Sequence, residues 1–127
     1  MAKPRALAIE DDKEIAELYG HVLESLGFET EIIRTGEAAL VRLTAVAPAV
    51  VLLDLNLLSR VSGSDILHRI RADKRLTETR VVVITGHPVL ADALHDKADA
   101  VLIKPVDVGE LSDLITRLHP RGKSNQV

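Results

Sequence analysis

The sequence contains no cysteine and no tryptophan, and its only rings besides histidine are one tyrosine and one phenylalanine. The missing thiols exclude disulfide frameworks, thiolate nucleophiles and cysteine-ligated zinc or iron–sulfur centres. Tyr19 and Phe28 are too few for a protein that reads single-stranded nucleic acid by stacking its bases. Positive charge is not in excess. Sixteen Lys and Arg face nineteen Asp and Glu, a formal net charge of −3, so no bulk positive field recruits nucleic acid and no direct nucleic-acid partner is expected. Long apolar stretches are also missing. The run at 49–53 is among the longest and is far too short to span a bilayer. The opening MAKPRALAIEDD has neither the apolar core nor the cleavage signal of a secretory peptide. A cytoplasmic protein with no membrane partner is the expectation.

What is present describes an ordinary globular chain: 46% hydrophobic and 28% charged over 127 residues. That length makes one domain, expected over 1–119, and can bury enough surface to fold without staples. The polar, aperiodic PRGKSNQV at 120–127 is expected to be a flexible tail. Four short apolar runs stand out, at Ala6–Ile9, Val50–Leu53, Val81–Ile84 and Ala100–Ile103, and they suit strands covered on both faces. A more polar segment, Phe28 to Arg34, reads as an edge strand. Between them lie helical patterns. Ile15, Leu18, Tyr19, Val22, Leu23 and Leu26 form one apolar stripe, stopped by Gly27, and Leu111, Leu114, Ile115 and Leu118 form another. Weaker helical patterns run over 36–47, 64–72 and 89–96. Strict alternation of strand and helix predicts a three-layer α/β/α sandwich on a five-stranded parallel sheet, with strand order 2-1-3-4-5.

The chemistry follows from where the strands end. Ligands of open α/β sheets bind at the carboxyl edge. The first strand ends in Glu10-Asp11-Asp12, the third in Asp54, the fourth in Thr85 and the fifth in Lys104-Pro105. Each residue also has an ordinary use. Asp11 with Glu14 three positions on matches a helix cap, Asp54 and Thr85 suit turns, and Lys104 suits a snorkelling stem. Four ordinary uses converging on one edge are a poorer explanation than one site. Glu10, Asp11 and Asp54 together would repel strongly, and a hard cation with oxygen ligands such as Mg²⁺ relieves this, with the Asn56 backbone carbonyl as a neutral ligand. Three carboxylates, one divalent cation and the Lys104 ammonium sum to zero charge, a setting ready for a phosphoryl group. Asp54 is then the nucleophile, and Thr85 and Lys104 the donors.

In order along the chain, LAIEDD, VVLLDLN, Gly63, VVVITG and VLIKP resemble the receiver domains of two-component signalling, from about Arg5 to Leu118. The resemblance implies the flavodoxin-like fold and Mg²⁺ on Glu10 and Asp11. It implies phosphorylation of Asp54 by a sensor histidine kinase or histidine phosphotransfer protein, phosphoryl contacts from Thr85 and Lys104, and a cis bond before Pro105. It implies self-catalysed phosphorylation and dephosphorylation rather than turnover of a separate substrate. No output domain is read in the sequence, so a single-domain regulator similar to the chemotaxis motor regulator is expected, although ITGH resembles a subgroup usually joined to transcriptional output. The resemblance also implies that His87 and Asn56, each two positions past a site residue, tune phosphate lifetime. His87 also reads as a solvated loop residue. Val101 stands where receivers carry a switching aromatic, Lys97 stands where they carry glycine, the loop after Asp54 has one extra residue and no proline, and only 19 positions separate Thr85 from Lys104. Chemistry is thus expected to be kept, readout to be altered and the fourth helix to be short. Two other readings stay open at this stage: a receiver-like interaction module that works without phosphorylation, and a metal-dependent phosphatase, disfavoured because Asn56 replaces its second acid. The run Arg69, Arg71, Lys74, Arg75 reads as a solvated helix end, with docking to an acidic partner as its lesser alternative.

Overall fold

Successive side chains of a strand point to opposite faces, and both faces of this sheet are covered. In a computed structural model, which describes residues 2–120, the apolar runs become β1 (Arg5–Ile9), β3 (Val50–Asp54), β4 (Arg80–Thr85) and β5 (Ala100–Ile103), and the polar segment becomes β2 (Glu29–Ile33). The helices are α1 (Lys13–Ser25), α2 (Gly36–Ala45), α3 (Gly63–Ala72), α4 (Pro88–Leu94) and α5 (Val108–Leu118). Leu7, Ile9, Val51, Leu53, Val81 and Val83 pack with Leu43, Ile66, Ile70 and Leu94 of α2, α3 and α4. Their alternates Ala6, Ala8, Val50, Leu52, Val82 and Ile84 pack with Tyr19, Leu23, Leu111 and Ile115 of α1 and α5. This is why the runs are continuously apolar.

All pairings are parallel, and the order is β2-β1-β3-β4-β5. The edge position of β2 explains its composition. Its Glu31 carboxylate is gripped by Arg42 Nε at 2.8 Å, a hydrogen bond that holds the acid below its usual range. Gly63 opens α3 directly against the end of β3. A Cβ there would sit 2.4 Å from Leu55 Cα and 2.5 Å from the Asp54 carbonyl oxygen, so only glycine permits this approach. The tail expected over 120–127 lies outside the described residues apart from exposed Pro120.

Two local expectations change or sharpen, and the fourth helix is short as expected. The cap of α1 is Asp12, not Asp11: its carboxylate accepts from the Ile15 amide at 3.0 Å. The basic run is solvated as expected, all four residues being exposed, but two of its arginines are also tethered. Arg71 donates to the carbonyls of Lys97 (2.7 Å) and Thr79 (3.1 Å) and to Asp99 (2.7 Å), while Arg75 reaches the Leu43 carbonyl and Asp73. These two arginines tie α3 and the following 3-10 turn (Lys74–Leu76) to neighbouring loops and to the last turn of α2. The fourth helix stops at Leu94, whose carbonyl accepts from both Lys97 and Ala98 amides and turns the chain toward β5. Lys97 needs no left-handed backbone, since no described non-glycine residue has a positive φ.

Candidate functional site

The register of the sheet sets the site. Ile9 pairs with Leu53, Asp54 with Ile84, and Thr85 with Ile103. Glu10, Asp54, Thr85 and Lys104 therefore leave adjacent strands at one level. One carboxylate oxygen from each of Glu10, Asp11 and Asp54 comes within 4.8 Å of the others. Glu10 and Asp54 are each 1% exposed, and Thr85 is fully buried. Asp11, on the loop, is half-buried. The Lys104 ammonium bridges the two buried acids, 3.2 Å from Glu10 Oε1 and 3.4 Å from Asp54 Oδ1.

Backbone amides hold each carboxylate. The Asp12 amide donates to Glu10 Oε2 (3.1 Å), the Asn56 amide to Asp54 Oδ1 (3.0 Å) and the Leu58 amide to Asp11 Oδ2 (3.0 Å). The acids remain electrostatically unbalanced. Burial, against the pull of the Asp12 amide and with the Asp54 charge added, pushes the Glu10 carboxyl up to about 7. Burial opposes the Lys104 charge, but Asp54 and Glu10 outweigh it and hold the ammonium above its ordinary range. Tyr19, in the core as expected, has its phenol raised by burial and then by the same two acids. The donor set is all oxygen, with no nitrogen or sulfur ligand, which fits a hard divalent cation and not a soft one.

A family model of the response regulator receiver domain matches residues 6–116. The chain belongs to this family. Receiver domains characteristically bind Mg²⁺ at an acidic pocket, and the three-carboxylate cluster is consistent with that. The DNA-binding response regulator MtrA of Mycolicibacterium smegmatis is 31% identical over 124 residues, covering 98% of this chain and 53% of that protein. The chain thus spans about half the length of that relative. The signal receiver domain of a putative Luxo repressor from Vibrio parahaemolyticus superposes with a TM-score of 0.83 at 28% identity, covering 98% of this chain and 95% of that one. A CheY-like receiver domain from Methylobacillus flagellatus gives 0.78 at 26% identity over 93% of this chain and all (100%) of that one. The architecture is the CheY-like, flavodoxin-type fold.

The remaining expected residues of this receiver domain fall as follows. Asn56 is exposed beside Asp54, joined to it through its amide. His87 is exposed at the start of α4; its amide donates to Thr85 Oγ1 at 3.1 Å, while its ring makes no capping bond. Val101 is half-buried in β5 and packs against the α3–α4 side of the core. The Lys104–Pro105 bond is cis. None of the described helices is long and apolar enough to cross a membrane. Sequence reasoning missed Arg34, whose side chain bonds the Asp11 carbonyl, and the Leu58 amide on Asp11. No motif signals either, because both contacts use the backbone.

Proposed function

We propose that this receiver domain accepts one phosphoryl group on Asp54 in a Mg²⁺-dependent reaction and alters its binding to a protein partner as a result. The observation that supports this most is the pairing of two buried carboxylates with a single ammonium, which leaves a site short of positive charge. Glu10, Asp11, Asp54 and the Asn56 carbonyl would hold Mg²⁺. When bound, the ion supplies neutralisation of charge on the phosphoryl oxygens. The Asp54 carboxylate oxygen attacks phosphorus, a P–O bond forms as the donor's P–N bond breaks, and the leaving imidazole keeps the electron pair. Thr85 Oγ1 and Lys104 Nζ donate to the transferred group. The phosphodonor is a phosphohistidine of a sensor histidine kinase or histidine phosphotransfer protein, an assignment carried by the family. Beyond its own phosphorylation and dephosphorylation the domain turns over no substrate. The receiver domain, over residues 1–119, acts in the cytoplasm and itself makes no direct contact with nucleic acid.

The response is atypical. Val101 is short and branched, stiff about χ1, and cannot report phosphorylation by a large ring swing. The short α4 beside it is the element left to move. His87 and Asn56, at the mouth of the site, tune access of water to the acyl phosphate. The same two features, Val101 and the short α4, support a second reading, an interaction module indifferent to phosphorylation. Partner affinity that is equal with and without a phosphoryl mimic would favour it.

Incubation with a small-molecule acyl phosphate and Mg²⁺ is expected to add the mass of one phosphoryl group, and chelation of Mg²⁺ to prevent it. A wild-type chain that stays unmodified both with the small donor and with its kinase contradicts the proposal.

A further inference from the structure

Arg34, just past the end of β2, donates from Nε (3.2 Å) and from a terminal nitrogen (2.9 Å) to one oxygen, the Asp11 carbonyl. That carbonyl shares a planar peptide unit with the Asp12 amide. From the opposite edge of that unit, the Asp12 amide donates to Glu10 Oε2 at 3.1 Å. A guanidinium pulling the carbonyl outward therefore aims the amide inward at the buried carboxylate. Next along the chain, the opening of α2 grips the other loop of the site. The Gly36 amide donates to Ser59 Oγ (3.1 Å), and Glu37 accepts from the Arg60 amide (3.2 Å). A Cβ on Gly36 would lie 2.2 Å from the Val61 carbonyl oxygen. This second grip fixes the segment whose Leu58 amide holds Asp11 Oδ2.

We infer that the β2–α2 junction is a clamp on the cation site and that Arg34 is its positioning residue, setting the Glu10 and Asp11 carboxylates without touching the ion. The inference rests on the reading that these acids hold Mg²⁺. It carries a sign that a plain charge effect does not. Arg34 is a positive charge near a cation site, so by Coulomb's law alone its removal would tighten Mg²⁺ binding. A clamp predicts the reverse.

The test is Mg²⁺ titration of the full chain by calorimetry for wild type, Arg34→Ala and Arg34→Lys, with melting temperatures in chelator as a control. Arg34→Ala is expected to weaken Mg²⁺ binding roughly tenfold, the scale for groups that orient metal ligands. Arg34→Lys, which keeps one donor, should recover about half of that loss on a logarithmic scale. The metal-free melting temperatures of all three should agree closely, since Arg34 is exposed. Unchanged or tighter Mg²⁺ binding by Arg34→Ala overturns the clamp while leaving the reading of the site intact. So does weaker binding matched by an equal collapse of metal-free stability. Failure of the wild type to bind Mg²⁺ overturns both.

Discussion

Asp54→Asn is expected to take up no phosphoryl group and, in the absence of metal and above about pH 7, where Glu10 is ionised, to melt at a higher temperature than the wild type. The first effect is chemical. An amide oxygen is a poor nucleophile, and no other carboxylate in the site is placed at the end of the central strand β3. The second is electrostatic. With Glu10 ionised, two unit charges with oxygens within 4.8 Å repel by about 3.5 kcal/mol or more at an effective dielectric of 20. Lys104 offsets part of this through its contacts at 3.2 and 3.4 Å. An asparagine keeps an acceptor for the Asn56 amide and leaves Lys104 paired with Glu10. A net gain of about 1 kcal/mol corresponds to roughly 4 °C for a domain of this size. Intact-mass spectrometry checks the first effect and calorimetry in chelator the second. Phosphate recovered on the variant, or a lower melting temperature, would show that Asp54 is not the repelled nucleophile described above.

The second large effect is on the pH dependence of stability. The folded Glu10 carboxyl titrates at about 7 against an ordinary value of 4.5. The folded state therefore holds a proton more tightly than the unfolded chain. Glu10's contribution to stability is full below 4.5 and is lost as pH rises through about 7. Glu31 and Asp65, whose carboxyls are both lowered in the folded state, carry the opposite sign. Asp65, for example, is lowered by the Ser62 amide and so loses its contribution only as pH falls. The clean measurement is a difference. In chelator, Glu10→Gln should gain on the wild type by about 1–3 kcal/mol between roughly pH 5 and pH 8. With saturating Mg²⁺ the order should reverse. A cation stabilises whichever form binds it, and the wild-type carboxylate must shed its proton to do so. A difference that stays flat with pH contradicts the burial of an uncompensated acid.

Much of this was readable because the relevant signals are positional. Four apolar runs ending in charged or hydroxylic residues place Glu10, Asp54, Thr85 and Lys104 at one edge once the sheet is known to be parallel. The doubly covered sheet made those runs continuous, and the polar β2 could only be an edge. What could not be read rests on backbone acceptors. The choice between Asp11 and Asp12 as cap is decided by the backbone entering α1, since both acids precede helical sequence. Placing the cap on Asp12 leaves Asp11 free to face the site. Arg34, Arg71 and Arg75 look like surface cations in sequence. In the fold each finds a carbonyl oxygen, at a loop for Arg34 and Arg71 and in the last turn of α2 for Arg75. No spacing rule encodes that.

The central claim is that Glu10, Asp11 and Asp54 cooperate with Thr85 and Lys104 around one cation. Amide-resolved NMR during Mg²⁺ titration, with and without beryllofluoride as a phosphoryl mimic, addresses it directly. Mg²⁺ alone should move the amides of Asp12, Asn56 and Leu58, which touch the three carboxylates. Beryllofluoride should act only when Mg²⁺ is present. It should extend the change to Gly86, His87 and Lys104, and have no effect on Asp54→Asn. Amides that stay fixed with both ligands at saturation, or an asparagine variant that responds like the wild type, would contradict it.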